Sequence, residues 1–170
     1  DYGLSMASVH NILITHDHAD HVKCVGSISY ELNIPVYTTK NVHHGIYKNY
    51  CVQRKVSQDL VRIIEKGDTF QAGEFKVTAF GVPHDSADNV GYFIENGGVS
   101  FCIVTDAGEI TDEIKCYISR ANYLVIEANH DEEMLSKGPY PVHLKRRIMS
   151  ATGHLSNADC GKAIAENMSE

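Results

Sequence analysis

A chain of 170 residues is long enough for one domain with a sizeable hydrophobic core and short for two. With 43% hydrophobic and 22% charged residues, its composition is that of an ordinary globular protein, and no apolar run approaches the ~20 residues that a membrane-crossing helix needs. A net charge of −7 argues against general attraction to polyanions, although a local basic patch or bound divalent cations can dominate the field at one site. No secretory n-region or h-region opens the chain, so a cytoplasmic location is expected. Five scattered cysteines, never in a C-x-x-C pair, read as reduced and mostly buried thiols.

The first element is a short buried strand over Val9–Thr15, apolar and followed by a polar break. Val22, Val25, Ile28, Ser29 and Leu32 at helical spacing predict a helix over Asp20–Leu32. Pro35–Thr39 is β-like, and Asn41–Tyr50 reads as a second short helix. From Leu60 the period moves towards two, with strands expected at Val61–Ile64, Thr69-Phe70, Glu74–Val82, Val90–Glu95 and Val99–Thr105. Asn96-Gly97-Gly98 between the last two is a strong hairpin signal, since Asn and Gly tolerate positive φ. Tyr123–Ala128 is a further buried-type strand, before helical patterns at Glu132–Ser136, Val142–Ser150 and Asn157–Met168. The expected class is α/β, with helices covering sheets.

Thr15-His16-Asp17-His18-Ala19-Asp20-His21 places three histidines and two aspartates in one heptapeptide. In an extended segment residues i and i+2 point the same way, so His16 and His18 can grip one ion together. Asp20 and His21 lie where the chain turns into the helix and can aim at a neighbouring point. Imidazole nitrogen and carboxylate oxygen both suit a cation such as zinc. A dinuclear centre then needs a third His, a further ligand and a bridge. His84, Asp106 and His154 follow expected strands or precede a helix, where a rigid scaffold can present them to one edge. A solvated polar loop is the competing reading of the heptapeptide, and the ordered later residues weigh against it.

HxHxDH with His84, Asp106 and His154 in order resembles the metallo-β-lactamase superfamily. The resemblance implies an αββα sandwich with two divalent ions, Zn2+ or Mn2+, at the end of the sheets. It implies His16, His18 and His84 on the first ion, Asp20, His21 and His154 on the second, and Asp106 bridging. Typical lactamases of this fold carry a Cys where Asp106 stands, which disfavours antibiotic hydrolysis. Pro83-His84 leading to Gly91-Tyr92 is similar to the nuclease branches, including the RNase Z group. Glu127-Ala128-Asn129-His130-Asp131, Gly138-Pro139-Tyr140-Pro141, Leu144-Lys145-Arg146-Arg147-Ile148 and Gly153-His154-Leu155-Ser156-Asn157 together look like the YycJ/WalJ-type exonucleases. The likeness runs from Ser8 to Ala165. Proteins of that fold begin with strands upstream of HxHxDH and close with segments beyond the last His, so a fragment is expected here.

The implied chemistry is phosphodiester hydrolysis, with nucleic acid, DNA foremost, as substrate and no membrane involved. Asp20 can ligate and orient the attacking water; His130 is the candidate general acid, oriented by Glu127. Lys145, Arg146 and Arg147 form the one three-residue basic run and are candidate phosphate contacts, against a plain solvated helix face. Ser156 or Asn157 is expected to cap the last helix, and the N–H groups there can also hold a phosphate. His10, His43, His44 and His143 read as non-ligands. A small-molecule hydrolase acting on a thioester or lactone is the alternative, and a non-enzymatic metal-binding module is third.

Overall fold

Strand β1 (Ile12–Leu13) pairs in parallel with β2 (Val36–Thr38), and β2 with β3 (Val61–Ile63), forming one sheet of the computed structural model, which describes Gly3 and residues 5–168. A second, five-stranded sheet runs in the order β4 (Thr69–Ala72), β5 (Phe75–Gly81), β6 (Val90–Asn96), β7 (Val99–Val104), β8 (Tyr123–Ile126). Its pairs are antiparallel except for β7 with β8. Gly97 and Gly98, at φ 57° and 83°, form the two-residue turn between β6 and β7, closed by the pair Asn96–Val99. Positive φ at both positions matches the right-handed twist of the flanking strands.

Alternation along the strands separates two faces. Val77 and Ala79 of β5 and Val90 and Tyr92 of β6 pack towards the first sheet with Leu13, Tyr37 and Phe70. Phe80, Phe93, Cys102 and Val104 point the other way, onto helices α4 (Asp112–Ile118) and α7 (Asn157–Asn167) through Ile114, Ile118 and Ala163. Across the first sheet, Val36 and Ile14 meet α1 (Ala19–Val22), α2 (Val25–Leu32) and α3 (Lys40–Lys48) through Val22, Val25, Val42 and Ile46. The layers are therefore helix, sheet, sheet, helix, as the sequence led us to expect. Two short helices, α5 (Glu132–Lys137) and α6 (Val142–Ile148), follow β8. No helix among the described residues is long and apolar enough to cross a membrane.

Several expectations change in detail. The helix expected over Asp20–Leu32 is broken at Cys24, which sits at φ −102°, ψ −4°. Val22 and Val25 still reach one core, so apolar spacing located the buried side chains but not the change of backbone direction. Helix α4 was missed, although Thr111 caps it through Ile114 N–H and Ile114 and Ile118 repeat at helical spacing. All five cysteines are free, but only Cys102 and Cys160 are buried, while Cys24 and Cys116 are exposed. The thiols are thus not mostly buried.

Candidate metal centre

The end of β1 is gripped from both sheets. The Ile14 carbonyl accepts from the Thr38 hydroxyl at 2.8 Å and the Tyr92 hydroxyl at 2.7 Å. The Thr15 carbonyl accepts from Val90 N–H at 3.0 Å. The HxHxDH turn therefore leaves from a point fixed by the inter-sheet core. His84 lies in the turn after β5, Asp106 in the turn after β7 and His154 just before α7.

These turns bring five imidazoles together. Ring centroids of His16 lie 4.7 Å from His18, 4.2 Å from His21 and 5.0 Å from His84. His84 is also 4.9 Å from His18 and 5.1 Å from His154. Three overlapping groups have ligand atoms within 4.8 Å of one another: His16, His18 and His84; His16, His21 and Asp106; His84, Asp106 and His154. Asp20 stands apart at the rim, its side chain 82% exposed and its carboxylate 3.7 Å from His21 Nε2. None of these groups contains His10, His43, His44 or His143.

The donor set fits divalent cations on its own chemistry. His16 is fully buried, yet its Nε2 has no hydrogen-bond partner. Leaving such an atom unpaired is costly unless something else binds it there. His84 Nδ1 lies 3.0 Å from the Gly153 carbonyl, which can only accept, so the proton sits on Nδ1 and Nε2 presents a lone pair. That lone pair is 3.3 Å from His18 Nδ1. An imidazole held in one tautomer by a carbonyl behind it is the usual support of a metal ligand. Burial, helped by the neighbouring His21, pushes His16 down to about 3, so it stays neutral and able to ligate. Burial opposes ionisation of Asp106, but the His21 hydrogen bond and nearby imidazoles outweigh it and hold the carboxyl at about 2. The same contact with Asp106, 3.1 Å from His21 Nε2, raises His21.

Asp106 occupies left-handed backbone at φ 51°, where a short polar side chain is tolerated better than most. Its carbonyl accepts from the buried Asn89 amide at 3.0 Å, which keeps the turn in place. Such a conformation in a non-glycine residue aims the carboxylate between two of the histidine groups.

Glu127 does not orient His130, contrary to the sequence reading. One oxygen takes His154 Nδ1 at 2.7 Å, and the other accepts from Ala107 N–H at 3.0 Å and Leu155 N–H at 3.2 Å. A single carboxylate therefore ties the turn after Asp106 to the His154 loop and fixes the His154 tautomer. The His130 ring is partly buried, with Nδ1 unpaired, and its carbonyl accepts from Asn157 N–H at 2.8 Å. Ser156 is buried and caps α7: its hydroxyl accepts from Asp159 N–H and donates to the Asp159 carboxylate. Both capacities of the hydroxyl are engaged within the helix start, as a cap requires. Asn157 itself is exposed.

The basic run on α6 is largely engaged. Lys145 donates to the Ser136 carbonyl at 2.6 Å, and Arg147 pairs with Asp85, the residue after His84. Of the three, Arg146 alone is exposed with no ion pair among the described residues. The Arg147 guanidinium holds the Asp85 carboxyl below its usual range.

Asp17, between the clustered His16 and His18, is a residue that the sequence reading did not single out. Its carboxylate accepts from Ala87 N–H at 3.2 Å, its carbonyl accepts from the Asn49 amide at 3.0 Å, and its side chain packs on Gly45 of α3. A Cβ at Gly45 would fall on the Asp17 carboxylate. Gly45→Ala would gain about 1 kcal/mol of helix propensity in the open, but overpacking here costs about 1–3 kcal/mol. We expect a lower melting temperature and weaker metal retention. A higher melting temperature with unchanged metal content would show that Asp17 moves freely.

The chain matches the family description "Beta-lactamase superfamily domain" over residues 3–168. It is 37% identical over 166 residues to "Exodeoxyribonuclease YycJ" of Bacillus anthracis, covering 96% of this chain and 61% of that protein. With "Exodeoxyribonuclease WalJ" of Streptococcus pneumoniae it shares 34% over 157 residues, 92% of this chain and 58% of the relative. The chain thus spans about three fifths of the length of these curated relatives. Among solved structures, zinc-bound PqqB from Methylobacterium extorquens superposes with a TM-score of 0.68 at 21% identity, over 86% of this chain and 54% of that one.

Proposed function

Since the chain belongs to the β-lactamase superfamily, we propose that it is a metal-dependent phosphodiesterase acting on DNA through two divalent ions, zinc or manganese. The observation that carries this is the convergence of His16, His18, His21, His84, Asp106 and His154 into three overlapping groups. Imidazole and carboxylate suit both metals. DNA as substrate is supported by the names of the two relatives, both exodeoxyribonucleases.

The chemistry that two divalent ions held here would supply is a lowered pKa for bound water and an offset to the charge developing on a phosphodiester. His16, His18 and His84 would hold the first and His21 and His154 the second, with Asp106 between them. Asp20, at the rim, is free to ligate the second ion and to orient the attacking water. His130 is the proposed donor of a proton to the departing ester oxygen, and it would donate through Nε2, because Nδ1 is buried and closed to substrate. Glu127 keeps His154 and the Asp106 turn in register. Arg146 and Asn157 offer exposed contacts to phosphate beside the cluster.

The test is digestion of end-labelled duplex DNA, single-stranded DNA and RNA with added Zn2+ or Mn2+, run beside a thioester. The expected result is DNA degradation with the thioester inert. Thioester turnover without degradation of any nucleic acid would move the protein to the small-molecule hydrolases.

A further inference from the structure

A second surface adjoins the histidine cluster. His18 is also a wall of a cavity of about 530 Å³ whose other walls include Asp17, His44, Lys48, Tyr50 and Cys51. Tyr50 is 92% exposed and lines this cavity. Its backbone is nevertheless firmly held. Asn49 donates to the Asp17 carbonyl at 3.0 Å and accepts from Cys51 N–H at 2.9 Å, Lys55 donates to the Asn49 carbonyl at 2.7 Å, and Val52 is buried. The turn is thus fixed to the residue between two ligand histidines, and its aromatic ring projects into solvent.

The local charge favours an anion. Between Glu31 and Asp59 the chain has no acidic residue, while Lys40, Lys48, Arg54 and Lys55 add positive charge, against a net charge of −7 overall. Arg54 lies over the Tyr30 ring at 4.0 Å, and Lys55 caps α3 carbonyls. Lys48 alone of these lines the cavity, exposed and without an ion pair among the described residues. Asp17 is the one carboxylate among the walls, and it is turned to Ala87 N–H.

We propose that this cavity is the subsite for a nucleotide of a single DNA strand, its base stacked on Tyr50 and its phosphate beside Lys48, which leads the next phosphodiester to the cluster at His18. An exposed aromatic ring next to a cation is the recurring way to hold single-stranded nucleic acid without sequence preference. The inference rests on the nucleic-acid reading above and adds where the strand lies.

The probe is a short phosphorothioate-linked thymidine strand, which resists hydrolysis, carrying 2-aminopurine at either its 5′ or its 3′ end. Stacking on an aromatic ring quenches this base, a readout that a merely structural residue would not move. With the metal-loaded protein, quenching should saturate on binding for one of the two strands. Tyr50→Leu should raise Kd about 5- to 100-fold and remove the quenching, while Tyr50→Phe keeps both. Lys48→Ala should reduce the log–log salt slope by about 0.7. Tyr50→Leu should keep the wild-type melting temperature and metal content, because its ring makes no core contact. If the wild type degrades DNA and Tyr50→Leu binds and quenches equally well, the subsite is wrong and the nuclease reading stands. If the wild type neither binds nor degrades DNA, both fall.

Discussion

Asp106→Ala is expected to lower DNA hydrolysis by about 10³-fold or more and to release metal from both halves of the centre. Its carboxylate belongs to two of the three ligand groups, with one oxygen 3.1 Å from His21 Nε2 and the other 3.5 Å from His154 Nδ1. Losing it removes the carboxylate of those groups, the one they contain among the described residues. Lewis-acid stabilisation of a transferring phosphoryl group amounts to several kcal/mol, and each 1.4 kcal/mol or so is tenfold in rate. Single-turnover cleavage and elemental analysis of the same preparation measure the two effects. A variant still holding two ions per chain would show that Asp106 is not shared between them. The fold should survive, because Asn89 grips the backbone carbonyl of Asp106 rather than its side chain.

Glu127→Ala is expected to weaken metal retention and activity by about 10–100-fold, the usual cost of removing the group behind a histidine ligand. It should also lower stability by about 3 kcal/mol, since Ala107 N–H, Leu155 N–H and His154 Nδ1 all lose their acceptor. Glu127→Gln keeps an acceptor for some of the three and should fall between the two. Thermal melts of metal-stripped and metal-loaded protein separate the effects: loading should rescue the wild type more than the variant. Equal rescue, with equal metal content, would mean that Glu127 holds the two loops together without tuning His154.

The first three converging histidines were legible in the sequence because their pattern is local. His16, His18 and His21 lie on one turn after a strand, and strand ends converge in layered folds. The layers were legible too, since alternation in β5 and β6 separates Val77 and Tyr92 from Phe80 and Phe93. Pairing between distant turns was not. Glu127 is nearer His130 in sequence but bonds His154, 27 residues on, because β8 delivers it beneath the loop that precedes α7. The left-handed backbone of Asp106 leaves no compositional trace. Contiguous charge does not reveal partners: Lys145, Arg146 and Arg147 attract notice as a run, while Lys145 donates to the Ser136 carbonyl and Arg147 pairs with Asp85. The cations between Glu31 and Asp59 are dispersed over α3 and the following loop, so no short window reveals them.

The most direct measurement for a two-metal centre is anomalous diffraction at the manganese or zinc edge from crystals of metal-loaded protein. The expected map holds two peaks a few ångströms apart. One should be ligated by His16, His18 and His84, the other by His21 and His154, with the Asp106 carboxylate reaching both. A single peak at full loading, or two peaks with Asp106 turned away from them, would contradict the account.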